Sequence, residues 1–214
     1  MIKKDKRLKQ IAKEVRRRIV KMSHDSKVGH LGSALSIVDI MVVLYFSILK
    51  IVPCRPDYRN RDRFILSKGH AASALYAVLA KKGFFPASWL NDYCRDNGKL
   101  GTHPDHYHVP GVEWTTGSLG HGLSVGCGMA LYAKRTKSIW KTYVLVSDAE
   151  CQEGEVWEAA LTAAQHQLNN LIVIVDYNQV QAFGKVKEIM YLEPFTKKWQ
   201  SFGWNVIEID GHNT

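Results

Sequence analysis

The chain has 214 residues, 46% of them hydrophobic, enough to bury one sizeable core and too many for a peptide or a bare linker. Its formal charge of +9 suggests a nucleic-acid partner until the charge is located: residues 1–21 hold ten Lys and Arg against two acidic residues, Asp5 and Glu14, a net +8, and the rest is nearly neutral. The longest apolar runs are short and broken by charge, and the basic start lacks the apolar core and small-residue cleavage site of a secretory leader, so the expectation is a cytoplasmic protein with neither membrane nor nucleic acid as partner.

In chain order, Leu8, Ile11, Ala12, Val15, Ile19 and Met22 recur at helical spacing, which makes residues 1–23 a basic amphipathic lead-in helix with one apolar stripe and a solvated cationic face. Helical patterns follow at about 36–49, 70–82, 88–96, 119–135 and 154–167. In the stretch "GLSVGCGMALY" (122–132), Gly122, Gly126 and Ala130 make a flat face, expected to pair with another copy or to pack within the domain. Three runs rich in Val and Ile, "TYVLVS" (142–147), "LIVIVD" (171–176) and "WNVIEID" (204–210), read as strands, the first two apolar on both faces as in a buried parallel sheet. Cys54, Cys94, Cys127 and Cys151 are too scattered for a disulfide framework or a cysteine zinc site, and read as reduced, mostly buried thiols. No repeat, low-complexity tract or Pro/Ser-rich linker divides the chain, so residues 1–214 are expected to form one α/β domain, a parallel sheet flanked by helices.

The segment "VLVSDAECQEGEVWEAALTAAQHQLNNLIVIVDYNQV" (144–180) carries two apolar runs, each ending in a carboxylate, with a helical pattern between them. A right-handed strand–helix–strand crossover makes the two strands parallel and brings their carboxyl ends to one edge, where open α/β sheets bind ligands. Asp148 and Asn178 fall at that edge. Two hard oxygens facing a crevice suit Mg²⁺ or Ca²⁺ and leave places for ligand phosphates. The spacing equally allows Asp148 to cap a turn and Asn178 to occupy a left-handed position after the strand.

"SDAECQEGEVWEAA…NNLIVIVDYNQVQAFG" resembles the thiamine diphosphate motif of transketolases, which opens on Gly-Asp-Gly and closes on an Asn about thirty residues later, the spacing here from Asp148 to Asn178. "VGHLG" (28–32), "RDRFILSKGHAASALYAVLA" (61–80) and "GTHPDHYHVPGVEWTTGSLGHGLSVGCGMALYAKR" (101–135) match the same family in the same order, from about residue 8 to the end. The match covers only the diphosphate-binding half of a transketolase, as in families whose enzyme is split between two subunits. It implies a thiamine diphosphate-binding fold, and two-carbon ketol transfer between sugar or sugar phosphate substrates.

The resemblance also implies roles at matching positions. Asp148, Asn178 and the backbone carbonyl of Val180 would hold the divalent metal against the cofactor's phosphates. The N–H of Ala149 and the segment around Gly117 would offer donors to those phosphates. Leu119 would wall the thiazolium ring, and His30, His70 and His103 would contact sugar hydroxyls, the second of them the diphosphate too. Glu153 matches an acidic residue near the cofactor's activating glutamate across a subunit interface, and stands equally as an ordinary carboxylate at a helix start. His24, His106, His108, His166 and His212 are left as ordinary polar residues, and "HPDHYH" lacks a carboxylate or cysteine at zinc-ligand spacing.

Departures from the family pattern bear on function. Ser147-Asp148-Ala149 replaces Gly-Asp-Gly, which would strain the backbone and weaken cofactor binding if residue 149 needs positive φ. Val28, Leu31 and His121 replace the usual Ser, Pro and Gln, which alters the sugar-binding edge. The sequence stops at "DGHNT", before further elements of the family's domain, so the domain is expected to be incomplete at that end. The aminopyrimidine-binding half and its glutamate are missing. The expected partner is a pyrimidine-binding C-terminal transketolase subunit in a homo- or hetero-oligomer; the alternative is a non-catalytic structural or regulatory subunit. A nicotinamide-dependent dehydrogenase fits poorly, because "GSLGHG" has its glycines in the wrong order and follows no clear strand.

Overall fold

The computed structural model describes residues 2–211, so His212 lies outside the described residues. The chain forms two compact units, the first built from Met1–Asp62, Gly69–Gly117 and Asp210–Thr214, the second from Arg63–Lys68 and Ser118–Ile209.

The first unit is helical. Helix α1 (Ile2–Ser26) buries its stripe, with Leu8, Ile11, Ala12, Val15, Ile19 and Met22 all at most 7% exposed, while Lys9, Lys13, Arg17 and Lys21 face solvent. The expected helix over 36–49 is broken into α2 (Leu31–Ser36), α3 (Val38–Val43) and a π turn (Leu44–Ile48). Helix α4 (Ala72–Lys82) is preceded by a 3₁₀ turn at Gly69–Ala71 and ends on Gly83 in the left-handed conformation that favours glycine. Between 88 and 96, where a helix was expected, only a 3₁₀ turn at Ala87–Asp92 forms. Pro86 opens it and Gly98 closes the segment behind it, packed where a Cβ would lie 2.1 Å from the Asp92 carbonyl oxygen.

The second unit carries the sheet. Strands β1 (Arg63–Leu66), β2 (Thr142–Ser147) and β3 (Leu171–Asp176) are parallel in the order β1-β2-β3, with Leu66 beside Leu145 and Ser147 beside Asp176. β2 is buried at all its positions, as its unbroken apolar run requires. Helices α5 (His121–Arg135) and α6 (Gly154–Gln165) pack their small faces on the sheet, and Leu123, Cys127, Val144, Val146, Val156, Ala160 and Leu171 share one core. A short hairpin of β4 (Val180–Gln181) and β5 (Gly184–Lys185) follows β3, then helices α7 (Val186–Ile189) and α8 (Phe195–Ser201).

Three further points depart from the sequence reading. β1 was not foreseen: four residues between two charged ends give too short an apolar run to declare a strand. Residues 204–210 run without regular structure, with Ile207 and Ile209 76% and 83% exposed, because no neighbouring strand among the described residues pairs with them. The Gly122, Gly126 and Ala130 face is not open for pairing with another copy. A Cβ on Gly122 would lie 2.4 Å from Ser67 Oγ, one on Gly126 2.4 Å from Val144 Cγ2, and Ala130 is fully buried, so the small residues exist to let α5 lie close on β1 and β2.

Candidate functional site

In the second unit the parallel register carries the ends of β2 and β3 to one edge, and the ladder continues past them through the Asp148 N–H, which donates to the Asp176 carbonyl at 3.2 Å. Asp148 is fully buried. Its Oδ1 accepts from the Ala149 N–H at 2.8 Å and its Oδ2 from the Gln179 N–H at 2.6 Å, so one carboxylate ties the turn after β2 to the loop after β3. The sequence left open a turn cap or a cation ligand; the carboxylate does cap the 3₁₀ turn Ala149–Gln152. Two N–H groups leave lone pairs on both oxygens. Burial pushes this carboxyl above its usual range against the pull of those two N–H groups.

Asn178 is not the left-handed residue of the loop; Gln179 is, at φ 61°. The Asn178 amide is held at both ends instead, its Oδ1 accepting from the Val180 N–H at 2.9 Å and its Nδ2 donating to Asp176 Oδ2 at 2.9 Å. Val180, whose carbonyl was expected as a ligand, begins the hairpin and is 62% exposed. Ala149 lies in the 3₁₀ turn, where alanine is at ease, so the strain expected from the Ser-Asp-Ala change is absent and a glycine there would relieve nothing. Its N–H, expected to face phosphate, is turned onto Asp148.

Under this edge lies a charged network that sequence reasoning missed. Lys68, fully buried just past β1, reaches Asp176 Oδ2 at 2.7 Å. Glu150, also fully buried, accepts from Ser67 Oγ at 2.5 Å, from the Gly120 N–H at 2.8 Å and from the Ser147 N–H at 3.2 Å. Glu150 thereby pins Gly120, left-handed at φ 91°, which starts α5. Burial lowers the Lys68 ammonium, with Asp176, Glu150 and Asp148 opposing, and burial raises Glu150. The signal available was a lysine and two carboxylates within three residues of the ends of mostly apolar strand runs, where a charge has little water to turn to. Leu119 is 36% exposed, and Glu153 sits at the N-terminal cap of α6, exposed and without a capping bond to its own helix.

In the first unit, His30 precedes α2 in the left-handed region, φ 66° and ψ 20°, a backbone that costs a histidine about 1 kcal/mol. Its ring lies 5.0 Å from that of His70, whose Nε2 is 2.8 Å from Ser33 Oγ. Gly69 packs so closely on Thr116 that a Cβ would meet its backbone at 2.9 Å, and Gly117 lies against the His103 ring. The His103 carbonyl accepts from the Tyr76 hydroxyl at 2.6 Å. The chain therefore gathers His30, His70, His103 and Gly117 on adjoining loops. His106 and His108 are held locally, by the Val112 carbonyl at 2.9 Å and by Asp105 at 2.6 Å.

Among the described residues no three of His, Cys, Asp and Glu are grouped to hold a metal, so a cation here would rely on two side chains and a backbone carbonyl. A cavity of about 620 Å³ in the second unit, between Lys134, Gln167, Asn169 and Trp204, lies at the end of α6 and the start of β3 and is lined by none of the candidate residues. Among the described residues no helix is long and apolar enough to cross a membrane.

Residues 8–214 match the family model described as transketolase, thiamine diphosphate binding domain. An apulose-4-phosphate transketolase subunit of Phocaeicola vulgatus is 43% identical over 196 residues, 92% of this chain and 69% of that protein. The 6-deoxy-6-sulfo-D-fructose transketolase subunit SqwG of Clostridium sp. strain MSTE9 is 46% identical over 187 residues, 87% of this chain and 68% of that protein. The crystal structure of transketolase from Campylobacter jejuni superposes with a TM-score of 0.91 at 32% identity, covering 96% of this chain and 33% of the other. The chain thus spans about a third of the length of the solved transketolases it matches.

Proposed function

The chain belongs to the transketolase family, and from that premise we propose that it is the diphosphate-binding subunit of a split transketolase, active in two-carbon ketol transfer only with a complementary pyrimidine-binding subunit. The observation that carries the reading is the charge imbalance at the strand ends. Asp148, Glu150 and Asp176 are buried against a single buried cation, Lys68. Glu150 has three donors and Asp176 bonds the ammonium, whereas Asp148 is bonded by two backbone N–H groups and feels the Lys68 charge without bonding it. Buried charges are paired or coordinate metals. The donor set at this edge, a carboxylate, an amide oxygen and the Val180 carbonyl, is the hard-oxygen kind that Mg²⁺ or Ca²⁺ takes, so the residues fit the metal and, through it, the diphosphate.

Bound thiamine diphosphate supplies the nucleophilic carbon that carries the ketol unit. The chain's own residues bind and orient. Asp148, Asn178 and Val180 would hold the metal, Gly117 would offer an amide to phosphate and Leu119 an apolar wall, while the Ala149 N–H is already committed to Asp148. His30, His70 and His103 are the candidates for sugar hydroxyls, each ring able to donate from one nitrogen and accept at the other. Glu153, exposed and without a capping bond to its own helix, is the candidate to face the partner chain. The relatives whose names make them single subunits of a transketolase support a second chain, and sugar phosphates or sulfo-sugars of the kind in those names are the substrate classes to try first.

Asp148→Asn tests the reading better than removal of the whole side chain, because the amide keeps one acceptor and loses the charge, although its NH₂ group then faces one of the two backbone N–H donors. With the complementary subunit present, Mg²⁺-dependent thiamine diphosphate affinity measured by calorimetry should fall at least about tenfold, while the unloaded protein stays folded and loses about 1–3 kcal/mol for the N–H left unpaired. Parental affinity in this variant would sink the assignment.

A further inference from the structure

We propose that the exposed apolar face of residues 177–191 is the surface on which the complementary, pyrimidine-binding subunit docks beside the candidate site. This rests on the split-subunit reading and adds where on the chain the second subunit sits. Six large hydrophobic residues that face solvent, Tyr177, Val180, Phe183, Ile189, Met190 and Tyr191, are concentrated in this one segment. Phe183 is 90% exposed, Tyr191 65% and Met190 55%. Single apolar residues scattered over a surface need no explanation, but a group of this size marks a place of contact.

The face is built rather than loose. Val186 and Leu192 are buried in the core of the second unit and pin the segment at two points, which leaves the other apolar residues outside. β4 and β5 have two residues each, too few to fold a layer over Phe183. The pieces adjoin. The Val180–Lys185 pair closes the hairpin, Ile189 Cδ1 lies 3.9 Å from where a Cβ on Gly184 would stand, and the Tyr191 hydroxyl bears electrostatically on that of Tyr177. Tyr177 is itself stacked on Phe195, ring centroids 5.5 Å apart. An aromatic side chain buries about 150–250 Å², so covering these six residues would remove on the order of 700 Å² from water. That approaches the roughly 800 Å² that each side of a standard interface contributes, and aromatic residues and Met are the types enriched there.

The occupant follows from what borders the face. Tyr177 and Val180 stand on either side of Asn178 in the loop after β3, and Gln152, in the turn that Asp148 caps, donates to the Met190 carbonyl at 3.0 Å. The face is therefore tied to the turn and the loop that carry the candidate cation ligands. A second copy of this chain seated there would cover the edge and bring no pyrimidine-binding half, since residues 8–214 match a thiamine diphosphate binding domain. A pyrimidine-binding subunit has to reach this edge to meet the cofactor, and the apolar face is what it meets beside it. The surface that fits is predominantly apolar in its turn.

The experiment reads association rather than catalysis. The full chain and the separately purified pyrimidine-binding subunit are mixed without thiamine diphosphate or Mg²⁺, and the dissociation constant is measured by sedimentation velocity. Phe183→Ser with Tyr191→Ser should weaken the complex at least about tenfold, as the loss of aromatic anchors does at an interface. The melting temperature of the isolated chain should stay at the parent's value, because both side chains already face solvent. Tyr132→Ser with Ile139→Ser, also exposed in the second unit but on and just after α5, should leave the complex as tight as the parent's. Parental affinity in the Phe183 and Tyr191 variant, or an equal loss in the Tyr132 and Ile139 variant, overturns the proposal. So does a parent chain that dimerises by itself and is made monomeric by the first pair of changes, which would give the face to a second copy. The premise fails separately: a parent that forms no complex with the pyrimidine-binding subunit, with or without cofactor, overturns the split-subunit reading itself and the docking face with it.

Discussion

The two units hold their candidate residues in contrasting ways. At the strand ends of the second unit, Asp148, Glu150, Asp176 and Lys68 are buried and each side chain is fixed by at least one short bond. On the loops of the first unit, His30 and His103 are exposed and His70 half-buried, held by a ring contact, one serine and a backbone carbonyl. The contrast suits the two tasks proposed for them. A cation and a diphosphate that stay bound call for preorganised charge, which only a desolvated, over-determined site supplies. A sugar that must come and go is served by exposed donors and acceptors, whose changes should cost activity and little stability.

The largest expected effect sharpens this difference. Lys68→Met alone leaves Asp176 uncompensated in a buried place and should destabilise the chain by about 3–5 kcal/mol in chemical denaturation. Lys81→Met in the first unit removes the Lys81–Glu14 pair at 2.6 Å, whose side chains are 44% and 39% exposed, and should leave stability almost unchanged. Comparable losses in the two variants would erase the distinction. Next in size is a pair on one helix. Gly122→Ala drives a methyl into Ser67 under the site and should cost roughly 2–3 kcal/mol, whereas Gly128→Ala meets nothing within 4 Å and should add up to about 1 kcal/mol of stability.

His30 supplies a smaller effect of opposite sign. Replacing it by glycine removes the left-handed strain, so His30→Gly should raise stability by roughly 1 kcal/mol less the flexibility gained by the unfolded chain, while ketol transfer by the complete enzyme falls. His30→Ala, which keeps the strain, should show no such gain in melting temperature. The smallest effect is in pH dependence. The Tyr177 hydroxyl and the Phe195 N–H hold the Glu193 carboxyl below its usual range. Such a carboxylate adds stability above its unfolded value of about 4.3, and that stability is lost as pH falls through the lower folded value. Tyr177→Phe should therefore flatten the fall in melting temperature between about pH 5 and 3, by a fraction of 1 kcal/mol because the pair is largely exposed.

Much of the local order was legible without coordinates. The boundaries of β2 and β3 match the apolar runs residue for residue, and α6 and the buried stripe of α1 follow from helical spacing. Even the meeting of Asp148 with the loop holding Asn178 was foreseeable, since a right-handed crossover leaves one place for both strand ends. The same local reasoning failed where a partner decides the outcome. "WNVIEID" alternates well enough for a strand and forms none, because a strand exists only with a neighbour to bond. "RFIL" is unremarkable as a sequence and becomes β1 because β2 lies beside it.

What the sequence determined by itself is therefore the class of the fold and the edge where Asp148 meets the loop that carries Asn178, both consequences of periodicity and chain chirality over a few tens of residues. The tertiary structure alone decided how those groups are held. Lys68 meets Asp176 and Ser67 meets Glu150 across 108 and 83 residues of chain. Gly122 and Gly126 turn their small face inward, and Ala149 needs no glycine because its turn is helical. Side-chain pairing in a desolvated interior depends on distances of a few tenths of an ångström between groups far apart in sequence, and only the packed arrangement of β1, β2 and β3 sets those distances.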